Sequence, residues 1–130
     1  MKHYNVVAAV VCHDGKYLCM QKGKTKFEYT SYKWEFPGGK IEPGETPQQA
    51  LARELMEEME YPVEVGEELV TVNHEYPDFS ITMTAFLCTP KGDADGFKRR
   101  EHADSKWCSK DELKGLNWAA ADIDVVEGIL

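Results

Sequence analysis

Residues 36–60 read FPGGKIEPGETPQQALARELMEEME, and this stretch decides how the rest of the chain is read. Its second half carries the strongest helix signal. Thr46 can cap, Pro47 takes the first helical position where a missing N–H costs nothing, and Gln49 completes a T-x-x-Q capping box. At about 100° per residue, Leu51, Leu55, Met59 and Ala52 share one apolar stripe, which predicts a buried-face helix over 46–60. Glu54, Glu57 and Glu58 fall on a separate arc, where like charges one turn apart cost about a few tenths of a kcal/mol per pair. A solvated acidic face is the plain reading of such an arc. Two features argue for more. The acids occupy the middle and C-terminal half of the helix, where the macrodipole disfavours them. The loop before it holds Gly38, Gly39, Gly44, Pro37 and Pro43, so it is stiff and its backbone can approach a ligand closely. Clustered carboxylates beside exposed backbone oxygens suit a hard divalent cation, Mg²⁺ or Mn²⁺.

Outward from this stretch, strands lie on both sides. Asn5–Cys12 is a Val- and Ala-rich run that reads as a buried strand, closed by the hairpin signal His13-Asp14-Gly15, and Lys16–Gln21 resumes as its partner. Lys22–Lys33 reads as a loop, and Trp34–Phe36 as a short strand stopped by Pro37-Gly38-Gly39. Leu69–Tyr76 and Ile81–Cys88 are strands joined around Pro77-Asp78, and Ser105–Cys108 is a further short strand. Asp93-Ala94-Asp95-Gly96 reads as a hairpin turn and lacks the later ligands of a calcium loop. Helices are expected over Ser109–Leu116 and Ala119–Leu130. Strands on both sides of a helix predict an α/β fold with a mixed sheet, as one domain over residues 1–130.

The length of 130 residues is enough to bury a core, and 42% hydrophobic with 29% charged residues excludes disorder, collagen and coiled coil. Lys and Arg number 15 against 23 Asp and Glu, a net charge of −8. That balance argues against a duplex nucleic-acid binder, whose affinity comes from cations on phosphates. Cys12, Cys19, Cys88 and Cys108 have no C-x-x-C spacing, and the apolar run Val6–Val11 is too short for a signal-peptide core or a membrane span. The expectation is reduced thiols in a cytoplasmic protein that engages no membrane. The histidines His3, His13, His74 and His102 share no spacing that suggests metal ligation.

Gly39, Glu45, Arg53-Glu54-Leu55 and Glu57-Glu58 are spaced as G-x5-E-x7-R-E-U-x-E-E, where U is aliphatic. This resembles the Nudix box, G-x5-E-x7-R-E-U-x-E-E-x-G-U. The match departs only at its end, where Glu60 replaces the final glycine and Tyr61 an aliphatic residue. Glycine there would end the helix in a left-handed turn. The approach Trp34-Glu35-Phe36-Pro37-Gly38-Gly39-Lys40-Ile41-Glu42 is similar to that of MutT-like nucleoside triphosphate pyrophosphohydrolases. Tyr76-Pro77-Asp78, Ile81-Thr82, Glu101 and Trp107-Cys108-Ser109 look like the same subgroup. Leu116–Asp122 is similar to its bacterial CTP pyrophosphohydrolase branch.

The resemblance implies a Nudix-type α/β/α sandwich with a loop-helix catalytic motif, using Mg²⁺ (or Mn²⁺) to hydrolyse a phosphoanhydride in a small nucleotide. By position in the box, Glu54, Glu57 and Glu58 would hold the cations with the carbonyl of Gly38, and Glu101 would complete the metal site or act as base. Either Glu54 or Glu101 can be that base. Arg53 would orient a carboxylate through its planar fork, and Glu45 would support the loop-helix junction. Lys22 and Lys40 could reach phosphates, Tyr76 could stack on a base beside Phe79, and Asp122 stands where the base edge is read. In MutT proper arginines stand at the positions of Lys22 and Phe79. A cytidine triphosphate is therefore the first substrate expected and 8-oxo-dGTP the second; a non-catalytic nucleotide sensor is the reading from another class. On this view the acidic charge does not exclude a polyanionic substrate, because several of the acids are read as cation ligands that turn locally positive once loaded.

Overall fold

A computed structural model describes residues 1–130. Its central strand is β1 (Lys2–His13), which runs parallel to β6 (Phe79–Pro90) from Lys2↔Phe79 to Val11↔Cys88. β6 pairs antiparallel with the edge strand β5 (Val63–Glu75), and β1 pairs on its other side with β4 (Gly38–Lys40). The end of β1 turns into β2 (Lys16–Lys22), which lies between β3 (Trp34–Glu35) and β7 (His102–Cys108). The β1–β2 turn sets Asp14 and Gly15 at φ 51° and 73°, the two positive values that a two-residue hairpin needs.

The apolar run in β1 is continuous because both faces of the strand are covered. Val7, Ala9 and Val11 pack with Leu51, Leu55 and Met59 of helix α1 (Pro47–Met59). Ala8 and Val10 point the other way, into a core shared with Leu113 of α2 (Lys110–Leu113) and with Ala121, Val125 and Val126 of α3 (Ala120–Ile129). Alternate side chains of one strand thus feed two cores, and the chain is an α/β/α sandwich with a mixed sheet. No helix is long and apolar enough to cross a membrane, and all four cysteines are free thiols.

The α1 caps follow the sequence: the Thr46 side chain accepts from the Gln49 N–H, and the Gln49 side chain accepts from the Thr46 N–H. The fully buried alanine of the helix is Ala50, while Ala52 is half-buried. Four expectations need correction. β3 ends at Glu35 with a bend at Pro37, but Gly38 and Gly39 are not part of that stop; after Phe36 and Pro37 the chain resumes with them as β4. A Cβ on Gly38 would lie 1.9 Å from the Val7 carbonyl oxygen, so this glycine serves close backbone approach to β1. β5 begins at Val63, not Leu69. Gly66 and two register shifts between Val65 and Val70 break its alternation, so the first half does not read as a strand. α2 ends at Leu113, because Gly115 and Leu116 close tighter i→i−3 bonds to Glu112 and Leu113. Asp93–Gly96 is a turn closed by Gly96 N–H to the Asp93 carbonyl, but it is no hairpin, since β7 pairs with β2 and not with β6.

Candidate active site

The loop before α1 and the helix itself are locked together by Arg53. Its Nε donates to Glu45 Oε2 at 2.7 Å and its Nη2 to Glu45 Oε1 at 2.9 Å, the parallel fork that an arginine and a carboxylate form best. Nη1 reaches Glu54 Oε1 at 3.0 Å and Glu57 Oε2 at 3.1 Å, and Nη2 also bonds the Lys40 carbonyl at 3.0 Å. Glu45 accepts in addition from the Glu42 N–H. The guanidinium holds the Glu45 carboxyl below its ordinary range. Glu45 is therefore a strut between loop and helix, away from the cleft that receives Glu58.

Glu54 is held from its other side by the loop. A Cβ on Gly39 would run into the Glu54 carboxyl group, so any other residue here would push that carboxylate from its place. One turn further, Glu58 faces a cleft of about 430 Å³ lined also by Glu101, Glu35, Gly38, Lys22 and His102. Burial, and then the neighbouring charges of Glu54, Glu101 and Glu35, push the Glu58 carboxyl up to about 8. Glu57 is more exposed and carries its bond to Arg53. No three His, Cys, Asp or Glu side chains converge tightly enough to form a finished cation cage. The chemistry of the donors nevertheless fits a hard divalent ion: several carboxylates around one cleft, whose charges add to the burial that raises Glu58, with the Gly38 backbone on its wall.

A second cavity of about 810 Å³ opens beside the first and shares Lys22, Thr25, Glu35 and Gly38 with it. Its wall is aromatic. Phe79 stacks on Tyr76 at 4.9 Å and on Phe27 at 5.7 Å, with Tyr4 edge-on at 6.0 Å. Lys40, expected to be free for phosphate, rests its Nζ 4.2 Å over the Tyr4 ring at the rim of this cavity. The Tyr76 hydroxyl accepts from the Ala121 N–H, which ties the aromatic wall to the first turn of α3. The next residue, Asp122, is buried on the same cavity, and its Oδ1 accepts from the Phe36 N–H at 3.0 Å. Burial, then Glu35, pushes the Asp122 carboxyl up to about 8.

Two residues of the site escape a reading by spacing alone. Glu35 lines both cavities, paired with Lys22 Nζ at 3.5 Å and with His102 Nε2 at 3.0 Å. His102 is nearly fully buried, and its Nδ1 has no hydrogen-bond partner. Neither residue lies in the box. Their one local signal is position, Glu35 before Phe36-Pro37 and His102 directly after Glu101. Phe27 of the Lys22–Lys33 loop likewise joins the aromatic wall without any periodic signal.

Comparison with known proteins agrees with this architecture. The NUDIX domain profile matches residues 1–127. The chain is 36% identical over 131 residues to a CTP pyrophosphohydrolase of Escherichia coli K12, covering all of this chain and 93% of that protein. It is 41% identical over 88 residues to an 8-oxo-dGTP diphosphatase of Proteus vulgaris, covering 68% of this chain and 78% of the relative. The solution structure of the E. coli ORF135 protein superposes with a TM-score of 0.82 at 35% identity, covering 99% of this chain and 89% of that one. With a box helix braced by Arg53 and a whole-chain match in both sequence and fold, the protein belongs to the NUDIX family and is a pyrophosphohydrolase of its MutT-like branch.

Proposed function

We propose that the protein is a Mg²⁺-dependent hydrolase of (deoxy)nucleoside triphosphates, with a cytidine nucleotide as first substrate, releasing monophosphate and pyrophosphate. The observation that carries this reading is the pair of adjoining cavities: one aromatic-walled with Asp122 on it, the other acidic, with Glu35, Lys22 and Gly38 between them. The shared wall and the contrast in lining suit a base in the first and a phosphate chain at the second.

Glu54, Glu57, Glu58 and Glu101, with the Gly38 carbonyl, would hold the cation; Mn²⁺ suits the same donors. A divalent ion bound there supplies charge neutralisation and a more acidic water. Arg53 keeps Glu54 and Glu57 oriented, and Glu54 or Glu101 takes the proton of the attacking water. Lys22, which lines both cavities, meets the phosphates, and Lys40 would join it by leaving the Tyr4 ring at the rim of the aromatic cavity. Tyr76 and Phe79 offer ring faces to the base. Asp122, held near its neutral form, presents one donor and one acceptor. That pair matches N3 and the exocyclic amine of cytosine. A neutral carboxyl also suits a purine edge with adjacent N–H and carbonyl, and the relative from Proteus vulgaris acts as an 8-oxo-dGTP diphosphatase, so 8-oxo-dGTP is the second substrate. Glu45, Glu54, Glu57 and Glu58 are all present, which disfavours a non-catalytic sensor.

The test is a nucleotide panel with Mg²⁺ and identification of products. Turnover of CTP or dCTP above other triphosphates is expected, with Glu57→Gln and Glu58→Gln inactive yet folded. Folded protein that turns over no triphosphate at all would sink the proposal.

A further inference from the structure

The first of the two departures from the box, Glu60, sits at the end of α1 in a conformation that glycine would favour. Its φ and ψ are 48° and 42°, the left-handed region, and its N–H bonds the carbonyls of Leu55 and Met56. A side chain there is retained against backbone strain. Its carboxylate makes two ion pairs to one short segment: Lys98 Nζ lies 2.9 Å from Oε2, and Arg100 contacts the same oxygen. Those cations hold the Glu60 carboxyl below its ordinary range. The segment is tied to the helix end at two further points. The Lys98 N–H donates to the Met59 carbonyl at 2.8 Å, and Arg100 Nη1 donates to the Glu57 carbonyl at 3.1 Å. The next residue is Glu101, which faces Glu58 across the acidic cleft, and β7 begins one residue later.

We infer that Glu60 is a positioning residue: through Lys98 and Arg100 it straps the segment 98–100 to the last turn of α1 and so holds Glu101 against the helix carboxylates. Without the Glu60 carboxylate, the segment keeps its bonds to the Met59 and Glu57 carbonyls but loses both ion pairs that fix its side chains beside Glu101. The inference rests on the reading of Glu101 as part of the cation site. A glycine at position 60 would relax the backbone and at the same time remove both ion pairs to the segment, so stability and cation affinity should move in opposite senses.

The experiment compares Glu60→Gly, Arg100→Ala, their double variant and Glu101→Gln. Each is measured for thermal melting without metal, for Mn²⁺ affinity by paramagnetic resonance, and for the Mg²⁺ concentration that gives half-maximal rate. Glu60→Gly should melt at or above the wild-type temperature yet bind Mn²⁺ about five- to tenfold more weakly, with the Mg²⁺ requirement raised by the same factor. Arg100→Ala should weaken binding similarly, and the double variant should be little worse than either single change, because both cut one strap. Wild-type Mn²⁺ affinity in Glu60→Gly, with Glu101→Gln weakened, would overturn the strap alone. Wild-type affinity and rate in Glu101→Gln would instead overturn the reading of Glu101 on which it rests.

Discussion

Nε2 of His102 lies 3.0 Å from Oε2 of Glu35, so the first residue of β7 fixes the carboxylate that stands between the aromatic cavity and the acidic cleft. The remaining ring nitrogen is buried and unpartnered, which makes the Glu35 bond the only polar contact the ring has. Replacing His102 by Phe removes both the bond and the orphaned nitrogen. The cost to stability should be small, about 1 kcal/mol, while the freed Glu35 should lower kcat/KM by about tenfold or more. His102→Gln keeps an N–H donor and should recover most of that loss. Melting curves and steady-state kinetics on the two variants decide it; equal kinetic loss in both would show that the Glu35 bond is not what matters.

Gly39 and Gly44 are both in the loop before α1, but they are glycines for different reasons. At Gly39 a methyl group would strike the Glu54 carboxylate at 2.4 Å, whereas Gly44 has open space and a φ of 84°. Gly39→Ala should therefore displace Glu54 and reduce kcat by about a hundredfold, the size seen when a key charged donor or base is lost. Gly44→Ala should cost about 1 kcal/mol of stability through its left-handed backbone and leave kcat near wild type. A kinetic assay paired with denaturant unfolding separates the two, and a silent Gly39→Ala would remove the steric argument.

Much of this was legible in the chain because it is local. The Thr46 cap, the Leu51-Leu55-Met59 stripe and the box spacing are statements about neighbours along one helix, and the structure matches them. The family and the α/β class follow from the same local pattern. Other features depend on partners distant in sequence. β4 is a strand only because Val6–Ala8 accept it, and Gly38 reads as a breaker until the Val7 carbonyl is placed beside it. Glu35 and His102 are 67 residues apart and meet only because β2 lies between β3 and β7. Phe27 belongs to the aromatic cavity through stacking on Phe79, which no periodicity reports.

Arg53 bonds Glu45, Glu54, Glu57 and the Lys40 carbonyl at once, which needs the planar fork of a guanidinium. A lysine carries the same charge but can serve only part of this set. Arg53→Lys should lower kcat by about a hundredfold or more and reduce stability, since a lysine cannot keep Glu45, Glu54 and the Lys40 carbonyl bonded together. Urea unfolding and single-substrate kinetics measure the two effects; a lysine variant with near-normal rate would show that charge alone suffices.

Glu58 makes the metal-free protein sensitive to pH. Its carboxyl is raised from 4.5 to about 8, first by burial, so its folded form keeps a proton that the unfolded chain has already lost. Stability from this group is greatest below about 4.5 and falls as pH rises towards 8. The lowered carboxyls of Glu45, Glu60 and Glu112 titrate below this window and contribute a constant amount across it. Glu58→Gln should therefore melt higher than wild type at pH 8 without metal, and the gap should shrink towards pH 5. On the proposed cation site, the same variant should also gain little from added Mg²⁺, because Glu58 is one of its proposed ligands. A gap that does not change with pH would exclude Glu58 as its source.

Asp122 provides the sharpest test of base recognition. Burial and Glu35 raise its carboxyl to about 8, while its Oδ1 is already used by the Phe36 N–H. At neutral pH the group then carries a proton that can be donated to N3 of cytosine, and it loses that proton as pH rises through about 8. The KM for CTP in the wild-type protein should accordingly climb between pH 7 and 9. An Asp122→Asn substitution keeps one oxygen for the Phe36 N–H and offers a fixed N–H in place of the titrating O–H. That variant should hold CTP with a KM within a few-fold of wild type at pH 7 and flat to pH 9, whereas Asp122→Ala should lose about 1–3 kcal/mol of binding at every pH. If Asp122 instead reads the exocyclic amine as a charged acceptor, the asparagine variant will fail at pH 7 as badly as the alanine one.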